Sequence, residues 1–352
     1  MWASRGWGRR RLASLLVLVV AAVAAAGSAA TAIPSGPRAL SAKGTVAAPA
    51  AHQAAPSPVA PNPQPWFDLN VASADIGFWQ PDALPAGAPA IKAKAGILVD
   101  VTNGEILWAQ DPHEALPPAS LTKVLTALVA LENLSPDQEV TITSDALGQS
   151  WEDSVMGLKA GEILTVQELL EGMLLPSGDD AASALAVDTV GQARFLAAMN
   201  AQEAQLGLHD SHFSNTSGLD DPGLYASAYD LAAITDYTYT HFPLFDQIVG
   251  TRTIVLPATA DHPEFWLGNL DALLWDYPAA VGVKPGDTGN AGACLIGMAV
   301  RGGQTLLAVL LNADYPARLE ARLLDWGFAQ EGLPPLLPPT PTPSPTPSPP
   351  AR

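Results

Sequence analysis

The sequence predicts an α/β (α+β) domain in which an antiparallel sheet, drawn from both ends of a folded block, is flanked by helices and carries an inserted helical region. Three observations lead there. Short apolar runs of strand length occur near residues 95–110 and again beyond 279, whereas residues from about 120 to 240 read mostly with helical spacing. Turn residues stand between the short runs where hairpins need them. Proline is uneven: 18 of the 33 lie in 33–65 and 333–352, which brackets a folded block at about 66–330.

Taken in order, Ala95–Val101 and Glu105–Gln110 are two strands joined at Thr102-Asn103-Gly104, and Asn-Gly between apolar runs is a strong hairpin signal. Helices follow over Leu121–Glu132, Val166–Leu174, Asp180–Val190, Gln192–Leu206 and Ser227–Tyr239. Ser120, Thr165 with Glu168, and Ser227 with Asp230 stand where caps belong. Three more strands are predicted at Ala279–Lys284, Cys294–Arg301 and Thr305–Asn312, with Gly302-Gly303 as a tight turn. An amphipathic helix at Ala317–Ala329 ends the block.

Outside the block, Arg5, Arg9, Arg10 and Arg11 precede an apolar run from Leu12 to Ala26, and Ala30-Thr31-Ala32 follows as a cleavage site. Residues 1–32 therefore read as a secretory signal, with an uncleaved anchor as the alternative. Residues 33–65 form an Ala/Pro-rich linker, and 331–352 a Pro/Thr/Ser-rich disordered tail ending in polyproline-type repeats. The protein is expected outside the cytoplasm, secreted or associated with the cell wall, touching membrane only through an uncleaved N-terminal segment.

The charge of −18, with 17 basic residues against 35 acidic ones, leaves no electrostatic footprint for nucleic acid. A single cysteine, Cys294, excludes an intramolecular disulfide framework and any CxxC site, and its apolar strand makes it a buried small hydrophobe. His209 and His212 have H-x-x-H spacing in a loop with no third ligand in view, so no metal or cofactor is called for.

Three polar sites interrupt the apolar pattern. Ser120-Leu121-Thr122-Lys123 opens a helix that is apolar nearly all round, which puts Ser120 and Lys123 on one face at the centre of the block. A lysine amine in so apolar a setting has its charged form disfavoured and can serve as base to a neighbouring hydroxyl. The bland alternative is a serine cap and a snorkelling lysine. Pro176-Ser177-Gly178-Asp179-Asp180 is a turn between helices, where Ser177 either caps or relays protons to Lys123. Lys284-Pro285-Gly286-Asp287-Thr288 closes an apolar strand, as an edge lysine before a turn or as the capture point for an anionic group.

In order and spacing, about 57 and then about 107 residues apart, these three sites resemble the penicillin-recognising serine peptidases, and most closely the D-alanyl-D-alanine carboxypeptidases of low molecular mass. The likeness covers about 90–329 and extends to PPASLTKVLTALVALE, GEILTVQELLEGMLLPSGDDAASALA, NTSGLDDPGLYASAYDLAAI and VGVKPGDTGNAGACLIG. It implies a beta-lactamase/transpeptidase-like fold, Ser120 as acylated nucleophile, Lys123 as its base and Ser177 as proton relay. It further implies Lys284 orienting the terminal carboxylate of a peptidoglycan stem peptide ending in D-Ala-D-Ala, with the N–H groups of Ser120 and Asp287 as oxyanion hole. Gly286 and Thr288 would complete the binding strand, Thr288 compensating for a lost hydroxyl, and beta-lactams would be covalent inhibitors.

Three positions depart from that pattern. Asp179 stands where the family usually has Asn, Pro285 where it has Thr, and Leu224 where it often has His. An ionised carboxylate accepts and cannot donate, so Asp179 is expected to bind substrate differently or to pair with Lys123 or Lys284. The alternatives are a catalytically impaired wall-associated binding protein, a DD-endopeptidase, or a beta-lactamase. The last is disfavoured because no Glu occurs between Glu203 and Glu264 to drive deacylation.

Overall fold

The computed structural model describes residues 77–338, except Asp82 and 149–153. The segments expected to be an export signal and a linker, and the end of the proline-rich tail, lie outside the described residues. Among the described residues, no helix is long and apolar enough to cross a membrane.

The chain begins with the hairpin β1 (Ala95–Asp100) and β2 (Glu105–Gln110), then a 3-10 turn at Ala119–Thr122 leads into α1 (Lys123–Asn133). The inserted region follows: β3 (Glu139–Thr141), β4 (Ile163–Thr165), α2 (Val166–Leu174), α3 (Asp179–Val187), α4 (Gln192–Gln205) and α5 (Ala228–His241). After α6 (Pro243–Val249), β5 (Thr253–Leu256), β6 (Phe265–Gly268) and α7 (Ala272–Asp276), the chain returns to the sheet. It does so through β7 (Ala280–Thr288), β8 (Gly292–Arg301) and β9 (Gln304–Leu311), and α8 (Pro316–Gln330) closes the domain.

The main sheet has the order β2-β1-β9-β8-β7, antiparallel throughout, so segments about 200 residues apart in sequence lie side by side in it, as the strand pattern predicts. Its two faces sort the side chains by alternation. Ile97, Val99, Leu307 and Val309 join the core shared with α1 and α5, while Leu98, Leu306, Ala308 and Leu310 pack with Leu323, Leu324 and Phe328 of α8. Because both faces are covered, β1 and most of β9 are buried and their sequences read as unbroken apolar runs.

Predicted and observed helices agree where a cap marks them. Thr165 and Glu168 form a reciprocal capping box on α2, and the Ser227 hydroxyl accepts from the Asp230 N–H at the head of α5. Three readings need correction. Ser120 is not a helix cap: the helix opens with a 3-10 turn, and the Lys123 N–H bonds to the Ser120 carbonyl instead. The strand expected to close at Lys284 continues through Pro285 to Thr288, since β7 is an edge strand where a missing N–H breaks no ladder. The helix placed at Asp180–Val190 stops at Val187.

Residues 331–338, assigned from sequence to the tail, are held against α8. The Asp325 carboxylate accepts from the N–H groups of Leu336 and Leu337 at 2.8 Å each and from the Tyr277 hydroxyl, and Arg301 donates to the Pro334 carbonyl.

Candidate active site

The site is assembled from α1, the α2–α3 connection, the loop before α5 and the outer edge of β7. Helix α1 is buried from Lys123 to Ala130, so the polar residues at its head are carried into the core with it. Ala119, just before Ser120, has φ +51, and Ser177 has φ +62. Each is a non-glycine residue in the left-handed region, a conformation that costs on the order of 1–3 kcal/mol and persists only where surrounding contacts enforce it.

Lys123 is fully buried and its Nζ is surrounded by acceptors: Ser120 Oγ at 2.9 Å, Asp179 Oδ1 at 2.5 Å and the Ser217 carbonyl at 2.7 Å. The expected pairing of Asp179 is thus with Lys123. Ser177 and Asp179 do not act as helix caps, because Gly178 holds the N-cap position of α3 and no side chain caps it. Ser177 is buried and lines the same cavity as Ser120.

That cavity, of about 320 Å³, is walled by Ser120, Ser154, Ser177, Leu270 and the Pro285–Asp287 stretch of β7. Strand β7 lies so close to the Ser120 turn that a Cβ on Gly286 would stand 2.9 Å from the Ser120 nitrogen, which only glycine avoids. A larger cavity of about 440 Å³ against α8 is lined by Arg322, Asp325 and Trp326 and contains neither Ser120 nor Lys123.

Lys284 and Thr288 are not among the residues that wall the cavity. Lys284 is fully buried, its Nζ donates to the Pro285 carbonyl at 2.9 Å, and burial together with the nearby Lys123 charge holds its pKa well below the usual lysine range. Asp271 and Asp179 oppose that shift. The Thr288 hydroxyl bonds Asp220 at 2.5 Å. The two lysines therefore do not simply add positive charge to the pocket: one is matched by a carboxylate and the other is desolvated.

Three contributors were not singled out from sequence. The Ser217 carbonyl receives Lys123. Gly218, at φ +92, presses on the turn before Ser120, where an added Cβ would sit 1.9 Å from the Ala119 oxygen. Asp180 accepts from the N–H groups of Met156, Gly157 and Leu158, which fixes the stretch that follows Ser154 at the cavity rim. A glycine in the Asn-Thr-Ser-Gly cluster and the Asp179-Asp180 doublet were the available signals, and neither names its partner.

Leu224 is buried, and His209 and His212 are exposed; His212 Nδ1 lies 2.7 Å from the Gly223 carbonyl. Cys294 is 1% exposed, and burial pushes its thiol up to about 11. Its reaction with a disulfide reagent at neutral pH is expected to be about 100-fold or more slower in the folded protein than in denaturant. Equal rates in a timed thiol assay would contradict the burial.

Comparison with known proteins adds an independent finding. The profile of the D-alanyl-D-alanine carboxypeptidase family matches residues 82–315. The carboxypeptidase DacB2 of Mycobacterium tuberculosis is 38% identical over 259 residues, covering 70% of this chain and 87% of that one. DacF of Bacillus subtilis is 34% identical, covering 75% and 69%. Among solved structures, a D-alanyl-D-alanine carboxypeptidase from Mycobacterium tuberculosis superposes with a TM-score of 0.64 at 35% identity, covering 70% of this chain and 96% of that one. The Streptomyces K15 DD-transpeptidase superposes with a TM-score of 0.64 at 31% identity, covering 69% and 100%.

Proposed function

The chain belongs to the D-alanyl-D-alanine carboxypeptidase family, and on that premise we propose that it removes the terminal D-alanine of peptidoglycan stem peptides through an acyl-enzyme on Ser120. The observation that carries this reading is the 2.9 Å contact between Lys123 Nζ and Ser120 Oγ beside an open cavity.

Ser120 Oγ attacks the carbonyl between the two D-alanines while Lys123 manages its proton. The N–H groups of Ser120 and Asp287 stabilise the oxyanion; in support, Gly286 brings β7 against the Ser120 turn and Asp287 walls the cavity. Ser177, which lines the same cavity, relays a proton to the departing amine. Orientation of the terminal carboxylate is assigned to Gly286 and the adjoining β7 backbone that lines the cavity, with Lys284 buried directly behind it and Thr288 turned to Asp220 instead. Asp179 acts on the substrate through Lys123, to which it is bound. Beta-lactams acylate the same serine. The protein works outside the cytoplasm, where its substrate lies, and the N-terminal pattern of arginines and apolar residues supports export.

A non-catalytic binding protein is the second reading, favoured by the buried Lys123–Asp179 contact, which commits the base to a carboxylate partner. One experiment separates them. The wild-type protein is expected to form a fluorescent penicillin adduct that maps to the peptide containing Ser120 and to release D-alanine from a pentapeptide. No adduct at saturating probe overturns the proposal in favour of the binding reading, and an adduct without D-alanine release points to a DD-endopeptidase acting through the same serine.

A further inference from the structure

We infer that Asp179 completes a proton relay, Ser120–Lys123–Asp179, in which Lys123 takes the seryl proton as it hands one of its own to the carboxylate. The inference rests on the acyl-enzyme reading above and concerns where the proton goes.

The geometry around Nζ is that of an ammonium. A hydroxyl, a carboxylate and a backbone carbonyl stand at 2.5–2.9 Å, each an acceptor suited to a proton of a charged lysine. A lysine held this way cannot accept a proton from Ser120 unless it gives one up. The Ser217 carbonyl does not take a proton at ordinary pH, and the Ser120 hydroxyl is the donor in question. Asp179 Oδ1, the nearest of the three, is the acceptor that can be protonated. Burial of both Lys123 and Asp179 favours a transfer inside the pair over loss to solvent.

The step balances. As Oγ bonds to the substrate carbonyl carbon, its proton moves to Nζ and an Nζ proton moves to Oδ1, leaving Asp179 neutral, Lys123 still charged and an oxyanion on the substrate. On collapse the C–N bond breaks and the stored proton returns through Lys123, with Ser177 as the last carrier to the leaving amine. Deacylation repeats the sequence with water in place of the serine hydroxyl.

Among the described residues, the charged groups near the pair include Lys284, Asp271 and Asp180. Lys284 on β7 is a like charge to Lys123 when protonated, and Asp271 lies beyond it at the head of α7. The neighbouring Asp180 is committed to the N–H groups of Met156, Gly157, Leu158 and Ala181.

The relay is competent with Asp179 ionised and Lys123 charged, so the acid limb of kcat/KM belongs to a carboxylate. A lysine acting alone must first lose its proton, and its acid limb lies at the amine's own pKa, which burial lowers from the free value but leaves above that of an ion-paired carboxylate. In D-alanine release from a pentapeptide, Asp179→Asn is therefore expected to lower kcat/KM about 100-fold at pH 6–7 and to recover toward alkaline pH. Its acid limb should rise by about 2 pH units or more. Asp179→Glu should keep the low acid limb at reduced rate, a rescue that a purely structural role does not predict.

An Asp179→Asn variant with wild-type kcat/KM at pH 6 and an unmoved limb overturns the relay while leaving the acyl-enzyme reading intact. Should that variant not fold, a wild-type acid limb above about pH 6, outside the carboxylate range, overturns it equally. A wild type that takes no penicillin and releases no D-alanine overturns both.

Discussion

Lys123→Met is expected to lower the acylation rate of Ser120 by about 10³-fold and to destabilise the domain by about 3–5 kcal/mol. The two losses have different origins. The rate falls because Nζ is the group in contact with the Ser120 hydroxyl. The stability falls because Asp179, a buried residue, is left without its cation. Removing both partners separates the effects: Lys123→Met with Asp179→Asn should regain most of the stability and none of the acylation.

The pH dependence carries a definite sign. In the single variant, burial without a counter-ion raises the folded-state pKa of Asp179 above its unfolded value, so the folded state binds more protons. Its deficit is then largest above that raised pKa and shrinks as pH falls through it. Denaturant unfolding of the three proteins at two pH values, with penicillin acylation measured alongside, tests the account. A single variant as stable as wild type at neutral pH would remove the buried ion pair from it.

Gly218→Ala is the second large effect, and it acts without touching substrate. At φ +92 an L side chain is strained, and the added Cβ would lie 1.9 Å from the Ala119 carbonyl oxygen and 2.8 Å from the Ser120 nitrogen. Backbone atoms cannot yield as a flexible side chain can, so the turn carrying Ser120 must shift. Displacement of a nucleophile by about 1 Å costs on the order of 100-fold in rate. Gly207→Ala is the control: its φ is +73, yet nothing lies within 4 Å of the new Cβ. It should lose about 1–2 kcal/mol of stability and keep the acylation rate. Similar acylation losses in both variants would mean that strain rather than contact with the Ser120 turn is responsible.

Much of this architecture is legible in the residues. The Asn-Gly turn, the capping box at Thr165 and Glu168, and the apolar runs of β8 and β9 are local signals whose range is a few residues. The 3–4-residue strands β3 to β6 were missed because so short a segment shows no measurable periodicity. Spacing puts Ser120 beside Lys123, as observed, but makes it a helix opener, since the 3-10 turn preceding α1 has no distinct sequence mark.

What the sequence determined alone is the list of chemical groups and their local settings: a serine one turn from a lysine on an apolar helix, a Ser-turn, and a lysine-glycine strand, in an order that resembles one family. Local settings follow from side-chain spacing over a turn or a hairpin. The tertiary structure decided how those groups meet. Asp179 pairs with Lys123 across 56 positions and leaves Lys284 to the Pro285 carbonyl; Thr288 goes to Asp220; and Gly218 holds the Ser120 turn from a loop about 100 residues away. Burial then sets which charges survive, matching that of Lys123 and disfavouring that of Lys284. Desolvation and long-range pairing depend on the three-dimensional surroundings of an atom, which no window of sequence contains.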